Sequence, residues 1–508
     1  MFIILVYIYI YQSATVEKTR IEMSRIGSNL FKRSFSSTKI NSDDYPLPKS
    51  IKANIAFKAI NLGLVCTGFY FFFTHKEQSS PSLVTHPSNP LLKFTGIPYS
   101  RVNELLTKHQ KSFSVKERSS KNGSSQLTRY DTSTINSNTP SEDRHTEHMY
   151  NGKFIFGVYD GHSGGECVDI VSSHLPNYAF QSTKSSNSFA GIADGLKVAF
   201  NLLDTHLLSG SFDPVLEMGA TAFDKLMKSF EPALSGSCAL IALIDDDTVH
   251  IAWTGDSRAV LGKRNQTSGK YERMTLSADH TTKNPHEYER LIESHPNELE
   301  TVVVRGRVLG GLMPTRAFGD ARYKYTVDQQ SKILPYFGKR GPPKNYKSPP
   351  YVIAEPEVFQ VSRKELGDFF IVMATDGLFD AMEDDDVVSL VAGMINGTSV
   401  SSPLVIQSLS FTKDNAITEK GDNFATHLIR NALAGDSGTQ RTQDNVQRML
   451  GIPSDVCRKY RDDMTVTVLC FDDKLKVNSS LGPETLELKP IKGVDQLPLL
   501  DLYFKDKL

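Results

Sequence analysis

Two apolar runs in this chain stop on an acid followed at once by glycine. "KFIFGVYDGHSGGE" (153–166) runs into Asp160 and Gly161, and "FFIVMATDGLFD" (369–380) runs into Asp376 and Gly377. Both runs are short, apolar and rich in aromatic and β-branched residues, so each reads as a strand. An acid placed where a strand ends sits at the edge of a sheet. The chain must therefore fold so that such edges come together or stay apart, and the remaining strands decide which.

Five strands are legible: Lys153 to Tyr159, Cys238 to Ile244, Val249 to Thr254, Asp368 to Ala374, and Met464 to Phe471. Asp245, Asp246 and Asp247 supply a hairpin turn between the second and third. Helical patterns cover Gly165–Phe180, Gly191–Leu208, Pro285–Ser294 and Phe424–Ala434. Hairpin-paired strands with separate helical pairs predict an α+β fold, with helices layered on antiparallel sheets. This body spans 126–473 and contains no internal repeat. A polar stretch, 77–125, reads as linker in which "YSRVNELLTKHQ" alone looks helical, and 474–508 is a tail with no assigned role. Two loops interrupt the body, a basic proline-rich one at 331–350 and a polar one at 398–423.

Composition narrows the function classes. Hydrophobic residues make up 39% and charged residues 23%, as in ordinary globular proteins. With 57 Lys plus Arg against 58 Asp plus Glu, no basic excess points to a nucleic-acid partner. The five cysteines form no CxxC pair and no even-numbered framework, so reduced, structural thiols are expected.

The N-terminal 45 residues read as an address. From Met23, "MSRIGSNLFKRSFSSTKINS" carries Arg25, Lys32, Arg33 and Lys39, many serines and no acid, the composition of a mitochondrial presequence. That makes Met23 a candidate true start. The apolar opening "MFIILVYIYIYQ" offers a secretory signal as the alternative, weakened by the lack of a basic region before it. Within 55–76, the uncharged stretch from Ala59 to Thr74 is just long enough for a transmembrane segment flanked by Lys58 and Lys76. A presequence followed by one span is the pattern of an inner-membrane anchor; a helix packed on the domain is the other reading.

The acids recur in strand-edge settings: Glu142 and Asp143 in "SEDRH", Asp160 in "DGH", Asp256 in "TGDSR", Asp376 and Asp380 in "DGLFD", and Asp462 in "YRDDMTV". Gathered in one cleft, these carboxylates would repel one another unless cations sat between them. Oxygen ligands with no Cys/His set select Mg²⁺ or Mn²⁺ over zinc. A lone "DG" is far more often a turn, so only the series carries weight.

In order, "EDR", "DGH", "GDSR", "RAFGD", "DGLFD" and "RDDMT" resemble the metal-dependent serine/threonine phosphatases of the PP2C type, over about residues 126 to 473. "YERLIESHPNE", "LGGLMPTRAFGDARYKY" and "PPYVIAEPEV" are similar to its branch of mitochondrial pyruvate dehydrogenase phosphatases, including those of fungi. The resemblance implies a β-sandwich of two antiparallel sheets flanked by helical layers, with two metal ions in a cleft. It implies that Asp160 bridges the ions, that the Gly161 carbonyl binds one, and that Asp376 and Asp462 bind the other. Glu142 and Asp143 would act through metal-held waters, and Asp256 and Asp380 match acids that hold a third, weaker ion in some members. His162 matches the family's general acid, a task suited to imidazole.

One position departs from the family. Many members have an arginine that grips the substrate phosphate five residues before the acid equivalent to Asp143; here that residue is Asn138, as it is in the pyruvate dehydrogenase phosphatase branch. Arg316 is expected to form a structural salt bridge, and Asp463 to support Asp462. The function so implied is hydrolysis of phosphoserine or phosphothreonine on a mitochondrial protein, with the pyruvate dehydrogenase E1α subunit as leading substrate. The alternatives are another mitochondrial phosphoprotein, and a pseudophosphatase scaffold that would bind no metal.

Overall fold

Hairpin-linked strands with unbroken apolar runs need cover on both faces, and the architecture supplies it. The computed structural model describes residues 90–115, 126–186, 188–210, 221–338, 341–396, 416–417, 419–435 and 442–471, all within the unit Asn89–Leu508. The targeting region, Met23, the candidate span at 55–76 and the tail at 474–508 lie outside them. No helix among the described residues is long and apolar enough to cross a membrane.

In chain order the strands are β1 (Lys111–Ser114), β2 (Arg129–Ile135), β3 (Asp143–Tyr150), β4 (Lys153–His162), β5 (Gly236–Ile244), β6 (Thr248–Thr254), β7 (Arg258–Arg264) and β8 (Tyr271–Thr275). They continue with β9 (Val303–Val304), β10 (Arg307–Val308), β11 (Phe318–Gly319), β12 (Glu357–Ser362), β13 (Phe369–Ala374) and β14 (Met464–Phe471). One sheet has the order β1-β2-β14-β13-β7-β8 and the other β12-β6-β5-β4-β3, with β11 added to β5. The pairings within both sheets are antiparallel.

Strand alternation builds the layers. Phe154, Phe156 and Val158 of β4, Phe369, Ile371 and Met373 of β13, and Leu469 and Phe471 of β14 fill the space between the sheets. The intervening residues face outward yet stay buried. Ile155 and Tyr159 pack with Val168, Val171 and Leu175 of α2 (Glu166–Thr183) and with Leu196 and Phe200 of α3 (Phe189–Leu208). Phe370, Val372, Val466 and Val468 pack with Val387 and Val391 of α6 (Asp384–Ile395) and Leu428 and Ile429 of α7 (Phe424–Ala434). The result is helices, sheet, sheet, helices: the α+β sandwich expected from the sequence. The other helices of eight or more residues among the described residues are α1 (Tyr99–Thr107), α4 (Ala222–Leu234), α5 (Pro285–Ser294) and α8 (Gln443–Leu450).

Within 77–125, the described residues 90–115 are more than a linker. α1 buries Val102 and Leu106 in the same cluster as α7, and β1 extends the first sheet beyond β2. The tail of the 398–423 loop is also structural, because Asn423 caps α7 by accepting from Thr426 N and also donates to Lys111 O and Thr132 O.

α7 carries a buried titratable group. His427 is 2% exposed, and burial, aided by Arg430, pushes its pKa down to about 4. An unfolded histidine titrates near 6.5, so the native state resists a proton that the unfolded chain accepts. This contribution to stability is complete above pH ~6.5 and drains away as pH falls toward ~4, in total on the order of 3 kcal/mol. Urea unfolding at pH 7 and pH 5 should show a loss in the native protein, about 2 kcal/mol of which is absent from His427→Gln. Equal losses in both would show that His427 does not titrate on unfolding.

Candidate active site

The site lies where strands of both sheets end. In the register of β3 with β4, Asp143 stands opposite Asp160, so two acids face each other at the edge of the second sheet. Asp256 follows β6 of the same sheet, and Asp376 follows β13 of the first sheet. Carboxylate oxygens of Asp160, Asp256 and Asp376 lie within 4.8 Å of one another. Asp380 closes the one-turn helix begun by Asp376, donating its N–H to the Asp376 carbonyl at 2.8 Å, and its charge bears on Asp376.

Small residues let this edge close. A Cβ on Gly161 would strike the Glu142 carbonyl and Val168, and one on Gly377 would strike the Asp463 carbonyl. The Cβ of Asp462 also lies 3.2 Å from that Gly377 position, which sets Asp462 beside Asp376. Its carboxylate is turned to Arg458 and accepts from Asp463 N at 2.7 Å.

The electrostatics are those of a site short of positive charge. Burial, and then Asp376, hold the Asp160 carboxyl well above its usual range. Burial and Asp256 push Asp376 up to about 8, while burial and Asp463 push Asp143 up to about 7 despite a 2.8 Å bond from Thr375 Oγ1. Asp256 is raised chiefly by burial, although Cys238 Sγ donates to it at 3.2 Å. Asp376 Oδ1 is buried with no hydrogen-bond partner. A buried carboxylate oxygen without a donor, among acids that suppress one another's ionisation, fits a hard divalent cation.

Glu142 and Asn138 sit on the loop before β3. Asp463 organises that loop, accepting from Ser137 N, Asn138 N at 2.8 Å, Ser141 Oγ at 3.0 Å and Glu142 N at 2.9 Å. These donors lower its pKa against the effect of burial. Its work is thus broader than the support of Asp462 read from sequence. The Asn138 amide is engaged by Glu142 and Asp463, at 3.3 and 3.2 Å. Glu142 in turn accepts from Gly164 N at 2.7 Å.

His162 ends β4, and its Nε2 lies 2.7 Å from Oδ2 of Asp320. Burial alone would depress this imidazole, but Asp320 beside it, with Asp256 and Glu142 nearby, raises its pKa overall. Asp320 lies within "RAFGD", a segment whose sequence points to no role for it. Nothing in its local pattern announces a contact made across 158 residues.

Arg316, in the same segment, donates to Glu287 Oε1 from Nε and Nη2 at 3.0 and 2.6 Å and to the Glu355 carbonyl at 2.9 Å. It is the structural salt bridge expected. His280, Glu287 and Glu357 also cluster there, but Arg316 and Arg290 already occupy Glu287, so the group is an ion-pair network.

Comparison with known proteins agrees in kind. The family model for protein phosphatase 2C matches residues 120–438. The mitochondrial pyruvate dehydrogenase (acetyl-transferring) phosphatase 1 of Rattus norvegicus is 31% identical over 450 residues, covering 73% of this chain and 82% of that protein. A protein phosphatase 2C homolog of Schizosaccharomyces pombe is 33% identical over 395 residues, with 73% and 85% covered. The mitochondrial pyruvate dehydrogenase phosphatase 1 of Saccharomyces cerevisiae is 31% identical over 408 residues, covering 68% and 69%.

Proposed function

Since this chain belongs to the protein phosphatase 2C family and is a protein serine/threonine phosphatase, we propose that it acts as a metal-dependent phosphatase in mitochondria. Its substrate in this reading is the phosphorylated E1α subunit of pyruvate dehydrogenase. The observation that carries the metal requirement is the convergence of Asp160, Asp256 and Asp376 around a buried Asp376 oxygen that has no donor. The substrate rests on the likeness to named pyruvate dehydrogenase phosphatases over more than two thirds of the chain.

Asp160, the Gly161 carbonyl, Asp376 and Asp462 would hold two Mg²⁺ or Mn²⁺ ions, with Glu142 and Asp143 behind them and Asp256 and Asp380 available to a third. Bound there, the ions supply charge neutralisation for a phosphate and activation of a water. The chain's own residues do the rest. Asp463 holds the 137–142 loop in place, which keeps Glu142 and Asp143 at the sheet edge. His162 donates a proton to the departing seryl or threonyl oxygen, which would otherwise leave as a poor, strongly basic alkoxide.

A phosphatase domain spanning about 126–473 plus α1 and β1, a matrix-directed N-terminal address and an inner-membrane anchor within 55–76 complete the proposal. The test is release of phosphate from phosphorylated pyruvate dehydrogenase by the full chain, with Mn²⁺, with Mg²⁺ and with EDTA. Metal-dependent release faster than from a generic phosphopeptide is the expected result. Release from the generic peptide alone would discard the substrate and keep the chemistry. No release with either metal would favour the scaffold reading.

A further inference from the structure

We propose that Asp320 is a positioning residue that acts through His162, fixing which ring nitrogen meets the leaving group, and that a buried Asp204–Lys324 pair holds Asp320 in place. The inference rests on the reading of His162 as proton donor given above.

The geometry runs outward from the ring. A carboxylate can only accept, so the 2.7 Å contact between Asp320 Oδ2 and His162 Nε2 puts a hydrogen on Nε2. Nδ1 is then the nitrogen left to serve the reaction. Gly236 lies directly against this contact: a Cβ there would collide with both His162 Nε2 and Asp320 Oδ2. Asp320 is 5% exposed, and its backbone is left-handed at φ 52°, a conformation asparagine and aspartate tolerate better than most residues.

A left-handed turn stays put only when its surroundings over-determine it. Asp320 N donates to Ser235 O at 2.8 Å on one side. On the other, Asp204 of α3 accepts from Gly319 N at 2.9 Å and from Lys324 Nζ at 2.8 Å, and Lys324 also donates to Ala317 O at 2.7 Å. Lys324 and Asp204 are buried, so this pair ties both ends of the segment 317–324 to α3. A buried pair of this kind contributes placement more than stability.

In the reaction, a water oxygen bonds to phosphorus and its protons stay with the phosphate, the ester P–O bond breaks, and the bond's electron pair goes to the seryl oxygen, which takes the Nδ1 proton of the imidazolium and leaves a neutral ring with its hydrogen on Nε2. Inorganic phosphate and the free hydroxyl result. An alkyl leaving group needs that proton far more than an aryl one does. A residue that acts by aligning His162 therefore discriminates between the two.

The experiment compares kcat of the full chain and its Asp320→Ala variant on a phosphoserine peptide and on 4-nitrophenyl phosphate. The expected losses are on the order of 100-fold on the peptide and under about tenfold on the aryl ester. Little change in KM is expected, and no further peptide loss when His162→Ala is added. Asp320→Asn keeps an acceptor for Nε2–H and accepts the left-handed backbone, so it should recover most of the peptide rate; it also serves if the alanine variant does not fold. Equal losses on the two substrates, or additive losses with His162→Ala, would overturn the proposal. A native chain inactive on both substrates would instead overturn the phosphatase reading beneath it.

Discussion

Asp160→Asn is expected to lower phosphatase turnover on the order of 10³-fold or more, equivalent to about 4 kcal/mol of lost transition-state stabilisation. Asp376→Asn should do the same. Both acids meet in the cluster, and neither can be replaced by a neutral amide without loss of the charge that would retain a divalent cation. The stability of the metal-free protein should move the other way. Burial and mutual repulsion hold the carboxyls of Asp160 and Asp376 above their usual range. A group whose folded pKa is raised destabilises the native state once pH exceeds its unfolded value, so neutral asparagine relieves that cost near pH 8. Thermal unfolding without metal should therefore give an equal or higher midpoint in the variants, alongside the lost turnover. Activity within tenfold of the native enzyme would remove the metal mechanism.

The second large effect lies far from chemistry. Arg430 of α7 donates to both oxygens of Asp422, at 2.6 and 2.8 Å, and neither side chain has any exposure. Asp422→Ala leaves the guanidinium buried and uncompensated, at an expected cost of about 3–5 kcal/mol by urea denaturation. Arg430→Met added to Asp422→Ala should recover much of it, since an apolar pair of similar volume spares both desolvation costs. A single variant as stable as the native protein would show that the pair carries little. α7 also covers β2, where the Asp131 carboxylate accepts from Phe424 N and Ser133 Oγ bonds to Thr426 Oγ1. Loosening α7 should thus free the polar backbone end of the first sheet.

That polar strand shows where sequence reading stops. β2, "RYDTSTI", carries no apolar alternation, yet Asp131, Thr132 and Ser133 are buried, the side chains of Asp131 and Ser133 met by α7 and the Thr132 carbonyl by its cap. β3, "DRHTEHMY", is equally opaque, being half covered at a sheet edge. By contrast β4, β5, β13 and β14 are apolar on both faces because a helix layer and a second sheet enclose them, and their runs were plain.

By itself the sequence determined five strands of the sandwich (β4, β5, β6, β13 and β14), the helices α2 and α3 on one sheet and α7 on the other, and the acids that end those strands. These are local consequences of side-chain period and turn chemistry, and they survive whatever the rest of the chain does. Tertiary structure alone decided that Asp143 stands opposite Asp160, that Asp463 binds the loop bearing Glu142, and that His162 is held by Asp320, itself tied to α3 through Asp204 and Lys324. Each of those contacts joins residues remote in sequence, and such a contact is set by how the two sheets and their helices pack, which no local pattern encodes.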